Sequence, residues 1–214
     1  MAETIAVIDY GSGNLRSCAK ALERAASDAS LPSRIEITSD VDAIYRADRV
    51  VLPGVGAFAD CMAGLSGVAG LKDALIESVI EKRKPFLGIC VGMQLMSEVG
   101  VEFGRHEGLG WLKGEVTRLD PPDASLKIPH MGWNTLTLRH DHPVTAGLDG
   151  AHVYFVHSYA LQNGAPDEVL GVCDYGVKFA AVAGRDNMIG TQFHPEKSQQ
   201  AGLTLLTQFL KWRP

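Results

Sequence analysis

Residues 85–96, Pro-Phe-Leu-Gly-Ile-Cys-Val-Gly-Met-Gln-Leu-Met, decide the fold. Pro85 to Ile89 is a short apolar run of strand character, and Val91 to Glu98 follows at once with helical spacing. At the join, Gly88-Ile89-Cys90-Val91-Gly92 has the form glycine, any residue, nucleophile, any residue, glycine. That form at a strand-to-helix turn is a nucleophile elbow. The flanking glycines remove side chains that would clash where strand and helix cross. The elbow sets Cys90 at a helix N-terminus, where partial positive charge favours thiolate. It also aims the Val91 N–H at any oxyanion made by attack of the sulfur. The competing reading is a buried, inert cysteine in a tight turn, which is how Cys18, Cys61 and Cys173 read.

Upstream of the elbow, strand and helix signals alternate. Thr4 to Asp9 is a strand that stops at Gly11-Ser12-Gly13, and Leu15, Cys18, Ala19, Leu22 and Ala26 recur at helical spacing. Ile35 to Thr38 and Arg49 to Leu52 are strands, the latter ended by Pro53-Gly54. Leu71, Leu75, Ile76, Val79 and Ile80 mark a helix. Such alternation builds βαβ units with a parallel sheet and helices on both faces. Downstream, Trp111 to Leu119 and Asn134 to Leu138 read as strands. Val169 to Cys173, Lys178 to Ala183 and Met188 to Phe193 read as an antiparallel meander, and a last helix buries Leu203, Leu206, Phe209 and Leu210. The expected fold is α/β and three-layered over 1–214 as one domain. Its central sheet is mixed and mostly parallel, with an antiparallel C-terminal portion. Ligands of such sheets sit beyond the carboxyl ends of the parallel strands, here just after Asp9, Leu52 and Ile89.

A cysteine nucleophile needs a base. Of seven histidines, His194 ends an apolar strand and is followed by Pro195-Glu196. Proline biases the preceding residue toward extended backbone, and residues two apart on an extended chain share a side. Glu196 would then fix the His194 tautomer while the other ring nitrogen faces Cys90, a Cys–His–carboxylate triad. A solvated Glu196 beside a satisfied strand-end histidine is the alternative. Pro53-Gly54-Val55-Gly56 follows the third strand, and its glycines make a turn able to present the Val55 N–H as a second oxyanion donor. Gly11-Ser12-Gly13-Asn14 lacks the full glycine pattern of a phosphate cradle and reads as a strand–helix connection with Asn14 near the active face.

Composition excludes several classes. The 214 residues carry a formal net charge of -5 with 46% hydrophobic and 21% charged residues, which suits a folded enzyme and not a disordered chain or a general nucleic-acid binder. No apolar run reaches the roughly 18 residues of a membrane span. Glu3 and Asp9 fall where a secretory signal would be apolar. The four cysteines are scattered without a CxxC pair, which speaks against disulfides and structural zinc and for a reducing cytoplasm.

The segments GICVGMQLM (88–96), PGVGAF (53–58) and QFHPEKS (192–198) together resemble the class I, triad-type glutamine amidotransferases over nearly the whole chain, in order. PHMGWN (129–134) and YFVHSY (154–159), with Lys197, are similar to the glutaminase branch that serves imidazole glycerol phosphate synthesis. The resemblance implies that Cys90 attacks the glutamine side-chain amide, His194 moves the protons and Glu196 orients it. It implies that Val55 and Val91 hold the oxyanion, and that Gln94, Gly56, Ser158 and Tyr159 hold the glutamine. No cofactor or metal is implied. Ammonia would pass to a separate (βα)₈-barrel cyclase subunit in a heterodimer, with Asn14, Met131, Trp133, Tyr154 and Lys197 on the partner face. Core packing is the alternative for Met131 and Trp133. The competing functions are the glutaminase of another pathway, a silent binding module and a cysteine hydrolase of other substrates. PGVG in place of PGG argues against the first, the intact Cys90, His194 and Glu196 against the second, and PHMGWN against the third.

Overall fold

The computed structural model describes residues 2–214. Its strands, in chain order, are β1 (Glu3–Ile8), β2 (Ser33–Thr38), β3 (Arg49–Gly54), β4 (Phe86–Cys90), β5 (Val99–Gly100), β6 (His106–Glu107) and β7 (Glu115–Arg118). They continue with β8 (His130–Thr135), β9 (Thr137–Leu138), β10 (His152–His157), β11 (Tyr159–Gln162), β12 (Val169–Asp174), β13 (Lys178–Arg185) and β14 (Met188–Thr191). The helices are α1 (Leu15–Asp28), α2 (Val41–Arg46), α3 (Phe58–Gly67), α4 (Leu71–Ile76), α5 (Val91–Gln94) and α6 (Gln199–Lys211).

Eight strands form the central sheet in the order β2-β1-β3-β4-β14-β13-β12-β9. Pairing is parallel from β2 through β14 and antiparallel from β14 outward. The expected mixed sheet with its antiparallel C-terminal meander is therefore present. β3 and β4 are buried at every position, as apolar strands covered on both faces must be. The chain steps from β1 out to β2 and then back past β1 to β3, and the right-handed crossover rule assigns α1 and α2 to opposite faces. α6 packs on α1, and α4 contacts both α2 and α3, giving three layers. No described helix is long and apolar enough to cross a membrane.

Two further sheets differ from expectation. β11-β7-β5-β6 form a four-stranded sheet, and β8 pairs with β10 as an antiparallel ribbon. The strand expected over 134–138 begins earlier and is split, β8 ending at Thr135 and β9 starting at Thr137. The strand expected over 111–119 is confined to β7. The helix expected over 91–98 stops at Gln94. Beyond it, the carbonyls of Leu95, Met96 and Ser97 accept from Leu109, Trp111, Leu112 and Gly110, so long-range pairing replaces the next helical turn. The helix from Leu71 ends in a π turn over Glu77–Glu81.

Candidate active site

The elbow sits where β4 meets α5. Cys90 has φ 54 and ψ -112, a left-handed conformation costly for a side chain with a Cβ. A Cβ on Gly88 would lie 2.8 Å from the Gly92 carbonyl oxygen, and one on Gly92 would overlap the Leu52 carbonyl, so only glycines permit the crossing. Val91 opens α5, and its N–H has no intrahelical partner by position.

His194 follows β14 with extended backbone. Its N–H donates to the Tyr154 carbonyl and its carbonyl accepts from Ser198 Oγ, which fixes the ring's base against β10. His194 Nδ1 lies 2.9 Å from Glu196 Oε1, with both side chains almost fully buried. The pairing is as expected but the route differs. The strand ends at Thr191, and a 3₁₀ turn over Pro195–Lys197 curls Glu196 back to the ring. Burial works against charge on His194, but the Cys90 sulfur and the Glu196 carboxylate outweigh it and push the imidazole up to about 9. A cation beside a cysteine favours the thiolate, the nucleophilic form. Among the described residues no atom meets Nε2 at strict hydrogen-bond geometry. The carboxylate contact on Nδ1 is formed, and the Cys90 sulfur lies close enough to raise the ring's proton affinity.

The loop after β3 corrects one expectation. The Val55 N–H does not stand free as an oxyanion donor. It donates to Ser12 Oγ at 3.2 Å, while Ser12 Oγ donates to the Val55 carbonyl at 2.6 Å. Cys61 Sγ, buried nearby, also reaches the Val55 carbonyl at 3.3 Å. Gly56 takes a φ of +99, which lets the chain turn away immediately after Val55. The Val91 N–H thus has no helical partner, whereas the Val55 N–H is held by a hydroxyl.

A cavity of about 300 Å³ joins these parts. It is lined by Cys90, Val91, His194, Val55, Gly56, Gln94, Ser158, Tyr159 and Lys197, all singled out in the sequence, together with Glu102, Pro129, Val156 and His157. Glu102 was not legible as a site residue. It lies in the loop after β5, outside every segment singled out in the sequence, and is placed by accepting the Phe58 N–H at 2.9 Å. Gln192 was quoted within a motif without a role. It is fully buried and reaches the Cys90 sulfur.

Of the residues expected on a partner face, Met131 is 65% and Trp133 45% exposed, so core packing is not their role. Two apart on β8, they share one face, where Trp133 sits opposite Tyr154 of β10. Exposed Lys197 stands over the Tyr154 ring, 5.6 Å from its centre, beside the cavity mouth. Asn14 is half-buried, like Tyr154, but points inward, its amide 3.5 Å from Glu196 Oε1 on the far side of the His194 pair.

A strained cysteine elbow, a carboxylate-bound histidine and a cavity joining them coincide with a family assignment: residues 6–212 match the model of the class-I glutamine amidotransferases, and the chain belongs to that family. More particularly, it is 55% identical to the imidazole glycerol phosphate synthase subunit HisH of Mesorhizobium japonicum and 56% identical to that of Brucella suis, over 98% of this chain and 99% of each relative. It is 57% identical to the HisH subunit of Azospirillum brasilense, over 99% of both chains. Among solved structures, a glutamine amidotransferase superposes with a TM-score of 0.70 at 16% identity over 97% of this chain and 99% of that one. Another, from Thermotoga maritima, gives 0.60 at 16% identity over 92% and 77%. At that identity the structures speak for the fold alone.

Proposed function

We propose that this chain is the glutaminase subunit of imidazole glycerol phosphate synthase. It hydrolyses glutamine to glutamate and ammonia and passes the ammonia to a (βα)₈-barrel cyclase subunit. The observation that carries the chemistry is the convergence of Cys90, Val91 and the Glu196-bound His194 on one cavity. The Cys90 sulfur attacks the carboxamide carbon. The oxyanion is held by the Val91 N–H and, in the working state, by the Val55 N–H. His194 gives its proton to the departing nitrogen, releasing ammonia and leaving a thioester. It then takes a proton from water, which attacks the thioester, and glutamate leaves as the sulfur is freed. Gln94, Gly56, Ser158 and Tyr159 surround the bound glutamine. Glu102, with one oxygen on the Phe58 N–H, keeps the other for the substrate ammonium.

Ammonia in water is protonated and lost, so its transfer needs a dry passage to the acceptor. Exposed Met131, Trp133 and Lys197, with half-buried Tyr154 between Trp133 and Lys197, lie beside the cavity and suit the cyclase. In the partner the ammonia reacts to give imidazole glycerol phosphate and aminoimidazole carboxamide ribonucleotide. Reconstitution with a cyclase subunit and its nucleotide substrate tests the assignment. Glutamate and imidazole glycerol phosphate are expected to accumulate together, and glutamate release with no imidazole product would refute it.

The Ser12 contacts make the resting state an idle one. Turning the Gly54–Val55 peptide so that Val55 N–H meets the oxyanion breaks at least one hydrogen bond to Ser12, and the second restrains the same segment. Each is worth about 1 kcal/mol, so Ser12→Ala should raise glutamine hydrolysis without the partner by roughly 5- to 30-fold. The rate with saturating cyclase should change little. An unchanged partner-free rate in a folded Ser12→Ala protein would rule the latch out.

A further inference from the structure

We infer that Gln192 is a catalytic residue, donating an amide N–H to the Cys90 sulfur, and that Gln94 and the Tyr159 carbonyl fix the direction of that donation, with the His157–His130 pair holding the carbonyl in place. The inference rests on the hydrolytic role given to Cys90 above.

The chain of contacts is directional at every link. Gln192 Nε2 lies 3.6 Å from Cys90 Sγ. An amide can present either its N–H₂ or its oxygen, so the sign of this contact depends on what lies at the other end. There, Gln192 Oε1 sits 3.0 Å from Gln94 Nε2. Gln94 Nε2 also lies 2.8 Å from the Tyr159 carbonyl. A carbonyl can only accept, so Gln94 must present its nitrogen to it. With the Gln94 nitrogen so placed, Gln192 must turn its oxygen toward Gln94 and its N–H₂ toward the sulfur. Reversing Gln192 would set two donors face to face and aim an oxygen at the nucleophile.

The Tyr159 carbonyl is itself held. His157 Nδ1 lies 2.9 Å from it and must carry the proton. His157 Nε2 is then a bare acceptor, and His130 Nδ1, 3.0 Å away, must be the donor. His130 Nε2 accepts in turn from Asn134 Nδ2, which also donates to the Asp174 carbonyl. Two backbone carbonyls, Tyr159 and Asp174, thus set the tautomers of both histidines. Both rings are buried, His130 stacked on Tyr175 with centroids 4.0 Å apart. Burial pushes His130 down to about 4 and His157 down to about 3, so neither takes a second proton near neutrality. A proton on either accepting nitrogen would break the chain.

Gln192 therefore supplies the sulfur anion with a hydrogen-bond donor in addition to the neighbouring His194. It stabilises the anion as the nucleophile before attack and again as the leaving group when the thioester is hydrolysed. His157 and His130 touch no reacting atom and are positioning residues. They also tie β8, whose neighbouring Met131 and Trp133 are exposed, to the amide that faces the nucleophile.

The test reads the sulfur directly. Cys90 alkylation by iodoacetamide at pH 7 is followed by mass spectrometry of the Cys90 peptide in wild type, Gln192→Leu, Gln192→Glu and His157→Phe. A donor to a charged acceptor is worth roughly a 10- to 100-fold effect. Gln192→Leu should slow alkylation and lower kcat by about that factor, with KM for glutamine within about threefold. Gln192→Glu, nearly the same shape, should slow alkylation at least as much by facing the sulfur with a carboxylate. His157→Phe should move both in the same direction by less. Thermal unfolding identifies any variant that has lost its fold, and either Gln192 variant alone suffices. Alkylation within about twofold of wild type in a folded Gln192 variant overturns the inference. A wild-type protein that alkylates at Cys90 yet hydrolyses no glutamine with its partner would instead count against the function.

Discussion

Cys90→Ala is expected to abolish glutamine hydrolysis, with or without the partner, by about a million-fold in kcat, the scale seen when a covalent nucleophile is deleted from an assembled triad. The sulfur is the one atom in the cavity able to form the thioester, and the groups arrayed on it have no function without it. Bound glutamine should still occupy the site, because Gln94, Ser158, Tyr159 and Glu102 are unaffected. Isothermal titration of the variant with glutamine therefore accompanies the assay. Retained binding with no turnover is the expected pair, and residual turnover above about a thousandth of wild type would sink the covalent mechanism. Transfer of externally supplied ammonium through the partner should persist, since the cyclase chemistry does not use the sulfur.

Glu196→Gln carries the second largest expected effect, a fall in kcat of about 100- to 10,000-fold. The carboxylate meets Nδ1 at 2.9 Å in a buried setting. Glutamine keeps the shape but not the charge, and it can turn an N–H₂ toward the ring and impose the wrong tautomer. The pH dependence carries the sharper signature. The charge of Glu196 is among the causes holding His194 up at about 9. Without it the imidazolium loses its proton at lower pH, so the alkaline limb of kcat should move toward neutrality. The sign for stability follows from the same shift. A raised folded-state value gives stability that is fully present below the ordinary 6.5 and lost as pH climbs through about 9. Wild type should therefore lose thermal stability across that window more steeply than Glu196→Gln. Superimposable pH profiles for the two proteins would remove Glu196 from its role.

Much of this site is legible because its chemistry is local. Gly88, Cys90 and Gly92 lie within five residues, and their spacing is dictated by a crossing that only glycine allows. His194 and Glu196 lie two apart and meet, although through a 3₁₀ turn and not along a strand. What stays hidden depends on distant pairing. Ser12 and Val55 are 43 residues apart, and nothing in either loop alone announces a hydroxyl that occupies a backbone donor. Glu102 is placed by a backbone N–H 44 residues upstream. Gln192 falls as a single polar residue inside the strand read over 188–193, and its partners lie 98 and 102 residues away. The sheet core was legible from apolar runs. The ribbon of β8 and β10 was not, since half of its residues face outward and mix polar with aromatic side chains.

The hydroxyl on Val55 has a consequence for how nitrogen is husbanded. A free-energy gap of about 2 kcal/mol between latched and turned loop leaves roughly one molecule in thirty poised at any instant, which is leaky by the standard of a plugged channel. Such a lock needs no dedicated inhibitor and no covalent mark. It opens whenever docking energy of the same small size is spent on the loop, and it closes by itself when the partner lets go.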